Sequence, residues 1–374
     1  MVLIWFFLTA LIIVIAQYYW YRRFVLRHVD YTRQFNTIVC FEDEEIEMIE
    51  QISNNKRLLI PWLYIESQLE ASLKFGKSDN LAVNSGSHYQ NHHSFFTLRG
   101  FTKVTRKHRI TPVMRGKYKL NTVSVTSGDL IGLAKINRTI PLNGKLTVYP
   151  KPKAIPLEKI PYHSWQGDVS VKRYILPDPF VVAGTRQYEA GDTFKQINWK
   201  ATARAGSLQV HQYDFTANRK LMVVLNIDDR EGMWRVVSNP AMIEDGIRYA
   251  AGITEEVIKQ GMQAGFATNM RTAEQFESLY ISPNSGETHW LSMLDAMATL
   301  ELERTESFSD LLDAIIASKV SYTDFLLISS YWNEDLEAQL RLLRSNNNAA
   351  LCLQLADMQT ADRRETVLEE VGAR

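Results

Sequence analysis

Only two cysteines, Cys40 and Cys352, occur in the 374-residue chain, near opposite ends. Neither stands beside another Cys, which excludes a disulfide framework and a Cys-based zinc spacing and suits a reducing compartment. Net charge is missing as well: 42 Lys and Arg balance 42 Asp and Glu, so no global field draws the chain onto nucleic acid or another polyanion. There is no GxxxxGK[ST], no GxGxxG after a strand, no HExxH and no GxSxG, the spacings that serve phosphate loops, dinucleotide folds, metalloprotease zinc and nucleophile elbows. No catalytic residue and no cofactor is therefore assigned, with an unrecognised hydrolase kept as the alternative because catalytic pairs can lie far apart in sequence. What is present is a folding composition, 45% hydrophobic and 22% charged, in a chain long enough for two domains.

Charge is also absent locally. Residues 2–20, VLIWFFLTALIIVIAQYYW, carry none, and the run approaches the ~20 apolar residues that span a bilayer's hydrocarbon core. A cleaved secretory signal needs basic residues ahead of a shorter apolar stretch and a small-x-small exit, and nothing basic precedes this run. Residues 2–21 are expected to form a transmembrane helix, which makes the lipid bilayer a partner. Tyr18, Tyr19, Trp20 and Tyr21 form an aromatic belt, and Arg22, Arg23, Arg27 and Arg33 follow. Basic flanks stay on the cytoplasmic side, so the expected location is the cell membrane, single-pass, with the C-terminal domains cytoplasmic.

Residues 32–150 show short alternating runs broken by turns, such as Asn54-Asn55-Lys56, the pattern of an antiparallel β-sandwich. The acidic cluster Glu42, Asp43, Glu44, Glu45, Glu47 and Glu50 interleaves with Ile46 and Met48, which suits the solvated face and leading turn of an early strand. His88, His92 and His93 lie among Ser, Gly and Asn, which suits a loop and argues against a metal site. Five prolines (Pro152, Pro156, Pro161, Pro177 and Pro179) in residues 151–182 mark a connector. Residues 216–356 alternate strands with helices. The continuous apolar run at 221–228 suits a strand buried on both faces, and 240–260 is helical by spacing, with Pro240 at the first position and Gly261 past the end. Further helices are expected at 290–300, 308–317 and 333–343, and strands at 265–270, 325–330 and 351–356. Right-handed crossovers make this an open, doubly wound sheet with helices on both faces. Residues 357–374 form a C-terminal tail.

Residues 184–214, GTRQYEAGDTFKQINWKATARAGSLQVHQYD, are too mixed for core packing alone. Arg186, Gly191, Asp192, Trp199, Lys200 and Arg204 punctuate them. Asp192 is placed to cap a first helical turn that carries Phe194, Ile197 and Ala201 on one face, with Lys200 and Arg204 four apart. This order resembles the signature of the bacterial family called domain of unknown function 58. Upstream, RGKYKLNTVSVTSGDLIGL at 115–133 is similar to that family's Arg-Gly-x-Tyr strand and Asp-x-x-Gly-Leu turn, on Arg115, Gly116, Asp129 and Gly132, and LTVYP at 146–150 is similar to its closing strand. The family's usual Asp-Pro-Phe-Gly turn is here Asp129-Leu130-Ile131-Gly132.

The resemblance implies an α+β multidomain protein: a membrane anchor, a β-rich region, the signature at 183–215, and a von Willebrand factor A-like domain at 216–356. It implies no catalysis, a MoxR-type AAA+ ATPase as partner, and a transglutaminase-like membrane protein as a further associate. Metal-binding A domains carry Asp-x-Ser-x-Ser after the first strand, whereas this chain has Asp228-Asp229-Arg230-Glu231-Gly232. An Arg in place of one hydroxyl and a Gly in place of the other leave the oxygen set incomplete, so no metal is assigned, and Asp228 and Asp229 are expected to cap a turn or pair with Arg230. Lys200 and Arg204 suit either partner docking or pairing with Glu189 or Asp192, and Trp199 is expected in the core or between domains. The expected function is a membrane-tethered, non-enzymatic scaffold or adaptor; the alternatives are a membrane-bound hydrolase and a metal-dependent adhesion module.

Overall fold

The uncharged run folds as one continuous helix, α1 (Val2–Phe24), and no residue of its 18-residue apolar window is buried. Its length and composition make it a candidate membrane span. The computed structural model describes residues 2–76, 81–86, 89–154, 182–188, 197–213, 220–273, 276–346 and 348–358. It forms two compact units, Met1–Lys151 with Leu294–Leu300, and Pro152–Met293 with Glu301–Arg374.

In the first unit α1 is followed by β1 (Val29–Phe35), β2 (Val39–Phe41), β3 (Ile46–Asn54), β4 (Ile60–Glu70), β5 (Leu73–Phe75), β6 (Leu81–Ser85), β7 (Tyr89–Leu98), β8 (Thr102–Pro112), β9 (Gly116–Lys119), β10 (Thr122–Gly128), β11 (Lys135–Pro141) and β12 (Lys145–Tyr149). They assemble into sheets of order β1-β3-β8-β5, β11-β10-β4-β7-β6 and β2-β12-β9. Alternate residues point inward, as Val29, Tyr31, Arg33 and Phe35 do on β1, because successive side chains on a strand face opposite sides. The sandwich core holds two apolar clusters. One gathers Tyr31, Ile52, Ile60, Leu63, Ile65 and Phe96 and takes in Tyr21 of α1 and Val25 and Leu26 from the turn after it. The other gathers Phe35, Met48, Leu69, Ile110 and Val148.

Between these clusters, at the inward positions of β1, β3, β4, β7 and β8, lies a buried polar layer. Arg33 reaches Glu50 at 3.1 Å and Ser67 at 2.6 Å. Glu50 also accepts from the Tyr31 hydroxyl at 2.7 Å and lies 3.2 Å from His108 Nε2. His92 sits in the same layer, 1% exposed, with neither ring nitrogen hydrogen-bonded and its ring 4.1 Å from that of Phe75. Two expectations are corrected here. His92 and His93 lie on β7 rather than in a loop, so they face opposite sides, and His93 meets Tyr64 at 2.6 Å; His88 falls outside the described residues. The acidic cluster is not uniformly solvated: Asp43, Glu44 and Glu45 are exposed, but Glu50 follows Ile46 and Met48 in the inward register, and buried Glu42 accepts from the backbone N–H groups of Arg115 and Lys151 at 2.9 and 3.1 Å.

The second unit contains β13 (Val182–Gln187), α2 (Trp199–Ala205), β14 (Gln209–Tyr213), β15 (Lys220–Leu225), α3 (Pro240–Lys259), β16 (Gln263–Thr268), β17 (Met270–Thr272), β18 (Leu279–Asn284), α4 (Glu287–Ala298, continuing into the first unit), β19 (Leu300–Arg304), α5 (Phe308–Ala317), β20 (Thr323–Ser329), α6 (Glu334–Ser345) and β21 (Ala350–Gln354). The main sheet runs β18-β16-β15-β20-β21; β16, β15, β20 and β21 are parallel, and β18 is an antiparallel edge. Helices cover both faces. α5 and α6 pack on Met222, Val224, Phe325 and Leu327, while Gly246 of α3 lies against Leu225 on the opposite side of β15, where an added Cβ would come within 3.0 Å of the Leu225 side chain. Caps set the helix starts: Asn239 accepts from Met242, Ser307 and Asp310 make a capping box, and Asn333 accepts from Leu336, each satisfying an otherwise orphaned donor. The antiparallel edge β18 was not expected, since its burial alternates weakly and the sequence shows no apolar run there.

Acid should loosen the first unit in two stages. Burial holds the His92 imidazole down at about 4 from an ordinary 6.5, so the unfolded chain takes up a proton that the fold refuses, and stability falls as pH drops from 6.5 towards 4. Burial alone would raise the Glu50 carboxyl, but His108, Arg33 and Tyr31 outweigh it and hold it at about 2; that contribution is lost as pH falls from 4.5 towards 2. The melting temperature of the detergent-solubilised chain should decline from pH 6.5 downward, by the equivalent of roughly 2–3 kcal/mol by pH 4 for His92. His92→Leu should flatten that upper stage and leave the lower one in place; an unchanged profile would exclude His92 as its source.

Candidate functional site

Three places hold the residues that the sequence singled out. The first is the β10–β11 turn. Gly128 is fixed by close approach, since a Cβ there would lie 1.7 Å from the Ala134 carbonyl oxygen. Asp129 is fully buried. One carboxylate oxygen accepts from the Ala134 N–H at 2.8 Å and the other from the Gln17 side-chain amide at 2.9 Å, while its carbonyl accepts from Trp62 Nε1 at 2.9 Å. Gly132 has φ +81° with open space around it, a conformation suited to glycine. Asp129 thus organises the turn from inside, and the turn's apolar side chains, Leu130, Ile131 and Leu133, point outward at 60%, 59% and 62% exposure. Arg115 and Gly116 lie elsewhere, at the start of β9: Arg115 is buried, and its guanidinium donates to the Leu300 carbonyl at 2.8 Å within the same unit.

The second place is the signature. β13 and β14 pair antiparallel, with Arg186 opposite Val210, and exposed Arg186 donates to the Gln187 carbonyl at 3.1 Å. The helix starts later than expected. Its cap is Asn198, which accepts from the Ala201 N–H at 3.0 Å, and Gly206 closes it in the left-handed region. Ile197 therefore precedes the helix and bridges to Val210. Gly191, Asp192, Phe194 and Glu189 fall outside the described residues. Trp199 corrects an expectation: it is 67% exposed, because Ile197 and Val210 take the buried positions and no residue of α2 is buried. Lys200 and Arg204 are also exposed, with no acidic partner among the described residues. α2 is held by backbone, with Asn198 N–H donating to the Gln209 carbonyl at 2.8 Å and Gln209 N–H to the Thr202 hydroxyl at 3.0 Å, so an aromatic ring and two cations stand on a fixed turn of helix.

The third place is the carboxyl end of β15, where an open α/β sheet presents its crevice. Asp228 is buried, and its carboxylate accepts from the Phe308 N–H at 3.0 Å and Asn269 Nδ2 at 3.2 Å, with Arg304 at 3.6 Å. Burial raises its pKa, against the opposing pull of Phe308 and Arg304. Asp229 pairs with Arg230 at 2.8 Å and accepts from the Ser238 backbone and hydroxyl, and these contacts overcome its partial burial and lower its pKa. Asn226 bonds Ser329 at 2.9 Å, and Asn269 accepts from the Ile227 N–H at 3.0 Å. Asp229 thus holds a turn and pairs with Arg230, as the sequence suggests, whereas Asp228 reaches the start of α5 and Arg304 rather than the next turn or Arg230. Among the described residues no group of three or more His, Cys, Asp or Glu is placed to hold a metal.

The first of these places belongs to the first unit and the other two to the second. Sequence reading passed over Gln17, Asn198, Asn269 and Arg304. The signal for Gln17 was present: it is the one amide in the apolar run, four residues before Tyr21.

Residues 184–373 match the family described as "Protein of unknown function DUF58", and the chain belongs to that family. It is 22% identical over 234 residues to "Uncharacterized protein YeaD" of Bacillus subtilis (strain 168), covering 62% of this chain and 55% of that one; the chain spans about half the length of the curated relative it matches. Similar solved structures include a CARDB domain from Pyrococcus furiosus (14% identity, TM-score 0.21, 33% of this chain and 96% of that one). Another is an ASH / PapD-like domain of human CEP192 (14%, 0.22, 32% and 86%). A third is a cohesin module from a Clostridium perfringens glycoside hydrolase (14%, 0.20, 31% and 97%). At those TM-scores nothing about this chain rests on them.

With Arg304, Asn269 and the Phe308 N–H already on Asp228, millimolar Mg²⁺ or Mn²⁺ should not raise the melting temperature beyond an ionic-strength effect, because only a ligand that binds the folded state stabilises it. Asp228→Ala should cost roughly 1–3 kcal/mol by stranding buried donors. A saturable, EDTA-reversible rise in the parent protein, lost in Asp228→Ala, would contradict this assignment.

Proposed function

We propose that this chain is a membrane-tethered, non-enzymatic adaptor that binds a protein partner through cytoplasmic domains. The observation that carries the reading is the exposed Trp199 beside Lys200 and Arg204 on backbone-fixed α2. An aromatic ring with arginine is the composition of interface hot spots, and two cations one helical turn apart suit an acidic loop. The family resemblance points to a MoxR-type AAA+ ATPase as the occupant. The doubly covered, mostly parallel sheet supports the von Willebrand factor A-like reading of the second unit. α1, its aromatic exit and Arg22, Arg23 and Arg27 support a single span with the body on the cytoplasmic side.

Because Trp199 is exposed, Trp199→Ala should leave the melting point within about 0.5 kcal/mol of the parent while capture of the ATPase by the detergent-solubilised chain falls. Lys200→Gln with Arg204→Gln should keep the fold and make capture weaker and less salt-sensitive, since exposed charges act through screened electrostatics. Full capture by both variants would remove α2 from the interface. Topology has its own test: a reporter fused after Arg374 that is active only outside the membrane should stay silent, and strong activity would reverse the orientation.

A further inference from the structure

The strand registers place several turns at one end of the sandwich. Val29 pairs with Asn54, Ile60 with Leu98, and Ser127 with Leu63. The α1–β1, β3–β4, β7–β8 and β10–β11 connections therefore sit together at the end where α1 enters. Asn55 N–H donates to the His28 carbonyl at 2.9 Å and Phe101 N–H to the Lys56 carbonyl at 3.1 Å, while Lys56 Nζ holds the carbonyls of Val25 and Arg27. The β10–β11 turn reaches further back along the helix. Its Asp129 meets Gln17, seven residues before the last residue of α1, or about 10 Å up the helix. The turn thus stands beside the last uncharged part of α1.

This end is apolar at its tips and basic around them. Leu130, Ile131 and Leu133 are joined by Phe101, 69% exposed at the β7–β8 turn. The four connections and the residues that flank them carry eight cations (Arg22, Arg23 and Arg27; Lys56 and Arg57; Arg99 and Lys103; Lys135), of which Lys56 is held by the Val25 and Arg27 carbonyls, against Asp30 and the buried Asp129. At the other end the exposed Asp43, Glu44 and Glu45 lie between β2 and β3, roughly 25 Å away by the rise of a nine-residue strand, with Lys151 3.5 Å from Asp43 and Arg109 3.5 Å from Glu45.

We infer that the helix-entry end of the sandwich is a second membrane contact, with Leu130, Ile131, Leu133 and Phe101 seated in the headgroup region of an anionic bilayer and the surrounding Lys and Arg on its phosphates. The inference rests on the proposal that α1 spans a membrane. The bilayer is the fitting occupant because the turn is bonded to the span itself, so whatever surrounds the last uncharged turns of α1 also meets Leu130 and Ile131. Apolar side chains at that depth gain by burial among acyl chains, and basic residues beside them gain from anionic lipid.

The test uses the full chain, with Cys40→Ala and Cys352→Ala, reconstituted in phosphatidylethanolamine–phosphatidylglycerol vesicles and labelled at one introduced cysteine with an environment-sensitive fluorophore. Ile131→Cys reports the turn, Ile13→Cys the span, and Ile38→Cys, 74% exposed at the far end, an apolar position away from lipid. Lipids bearing a shallow nitroxide should quench the Ile131 label at least about threefold more than the Ile38 label, and mid-chain nitroxides should quench the Ile13 label. Arg57→Gln with Arg99→Gln and Lys103→Gln should reduce the Ile131 quenching. Quenching at Ile13 with none at Ile131 overturns this contact while leaving the span intact. A blue-shifted but unquenched Ile131 label means that protein covers the turn, which also overturns it. Absence of quenching at Ile13 and Ile131 alike removes the span and this contact together.

Discussion

The exit of α1 is part of the sandwich core, and the proposed placement of the sandwich at the membrane depends on that contact. Tyr21, Val25 and Leu26 are buried with Ile60, Leu63 and Val123, Lys56 holds the Val25 and Arg27 carbonyls of the turn after the helix, and Gln17 reaches the Asp129 turn. A span joined to its domain by a loose linker leaves the domain free to tumble; a span whose exit, here Tyr21, Val25 and Leu26, is buried in the domain fixes which end faces the bilayer. Sequence, packing and placement connect through a few side chains. The aromatic exit of the apolar run supplies Tyr21, and that residue serves the protein interior rather than only the lipid interface.

The sandwich itself is divided across its middle. Arg33, Glu50, His108 and His92 occupy inward positions that a uniform core would fill with Leu or Val. Burying such charges carries a desolvation cost that the mutual contacts offset, and the geometry specifies register, because a one-residue slip of β3 would turn Glu50 outward and separate it from Arg33 and Tyr31. The network thus links β1, β3, β4 and β8 in one arrangement, and it leaves the imidazole of His92 neutral beside a guanidinium.

How much of this was legible depended on whether the signal was periodic. The helices α3, α5 and α6 show three- and four-residue apolar spacing and Asn or Ser caps, and these appear in the structure close to their expected bounds. The parallel strands announce themselves as apolar runs. The antiparallel edge β18 has no such run, and its neighbour β16 supplies the pairing that makes it a strand. In the signature, Trp199 was placed inside because a large aromatic usually is; two smaller residues, Ile197 and Val210, fill the space instead. Glu50 was concealed by its acidic neighbours, although its period-two spacing with Ile46 and Met48 marks it as inward. The exposed Leu130-Ile131 pair could be read from sequence only as a departure from the family's turn, and its meaning comes from the Asp129–Gln17 bond.

The most direct test of helix and sandwich as one body is the stability of the sandwich when the buried turn that leads out of the helix is trimmed. In the detergent-solubilised chain, Leu26→Ala should destabilise the first unit by roughly 2–5 kcal/mol, as cavity formation in a packed core does, and hydrogen exchange should quicken in β4 and β10, strands that contribute Ile60, Leu63 and Val123 to the same cluster. An unchanged melting point with unchanged exchange in those strands would mean that α1 is only a tether, and the fixed orientation of the sandwich at the membrane would fail with it.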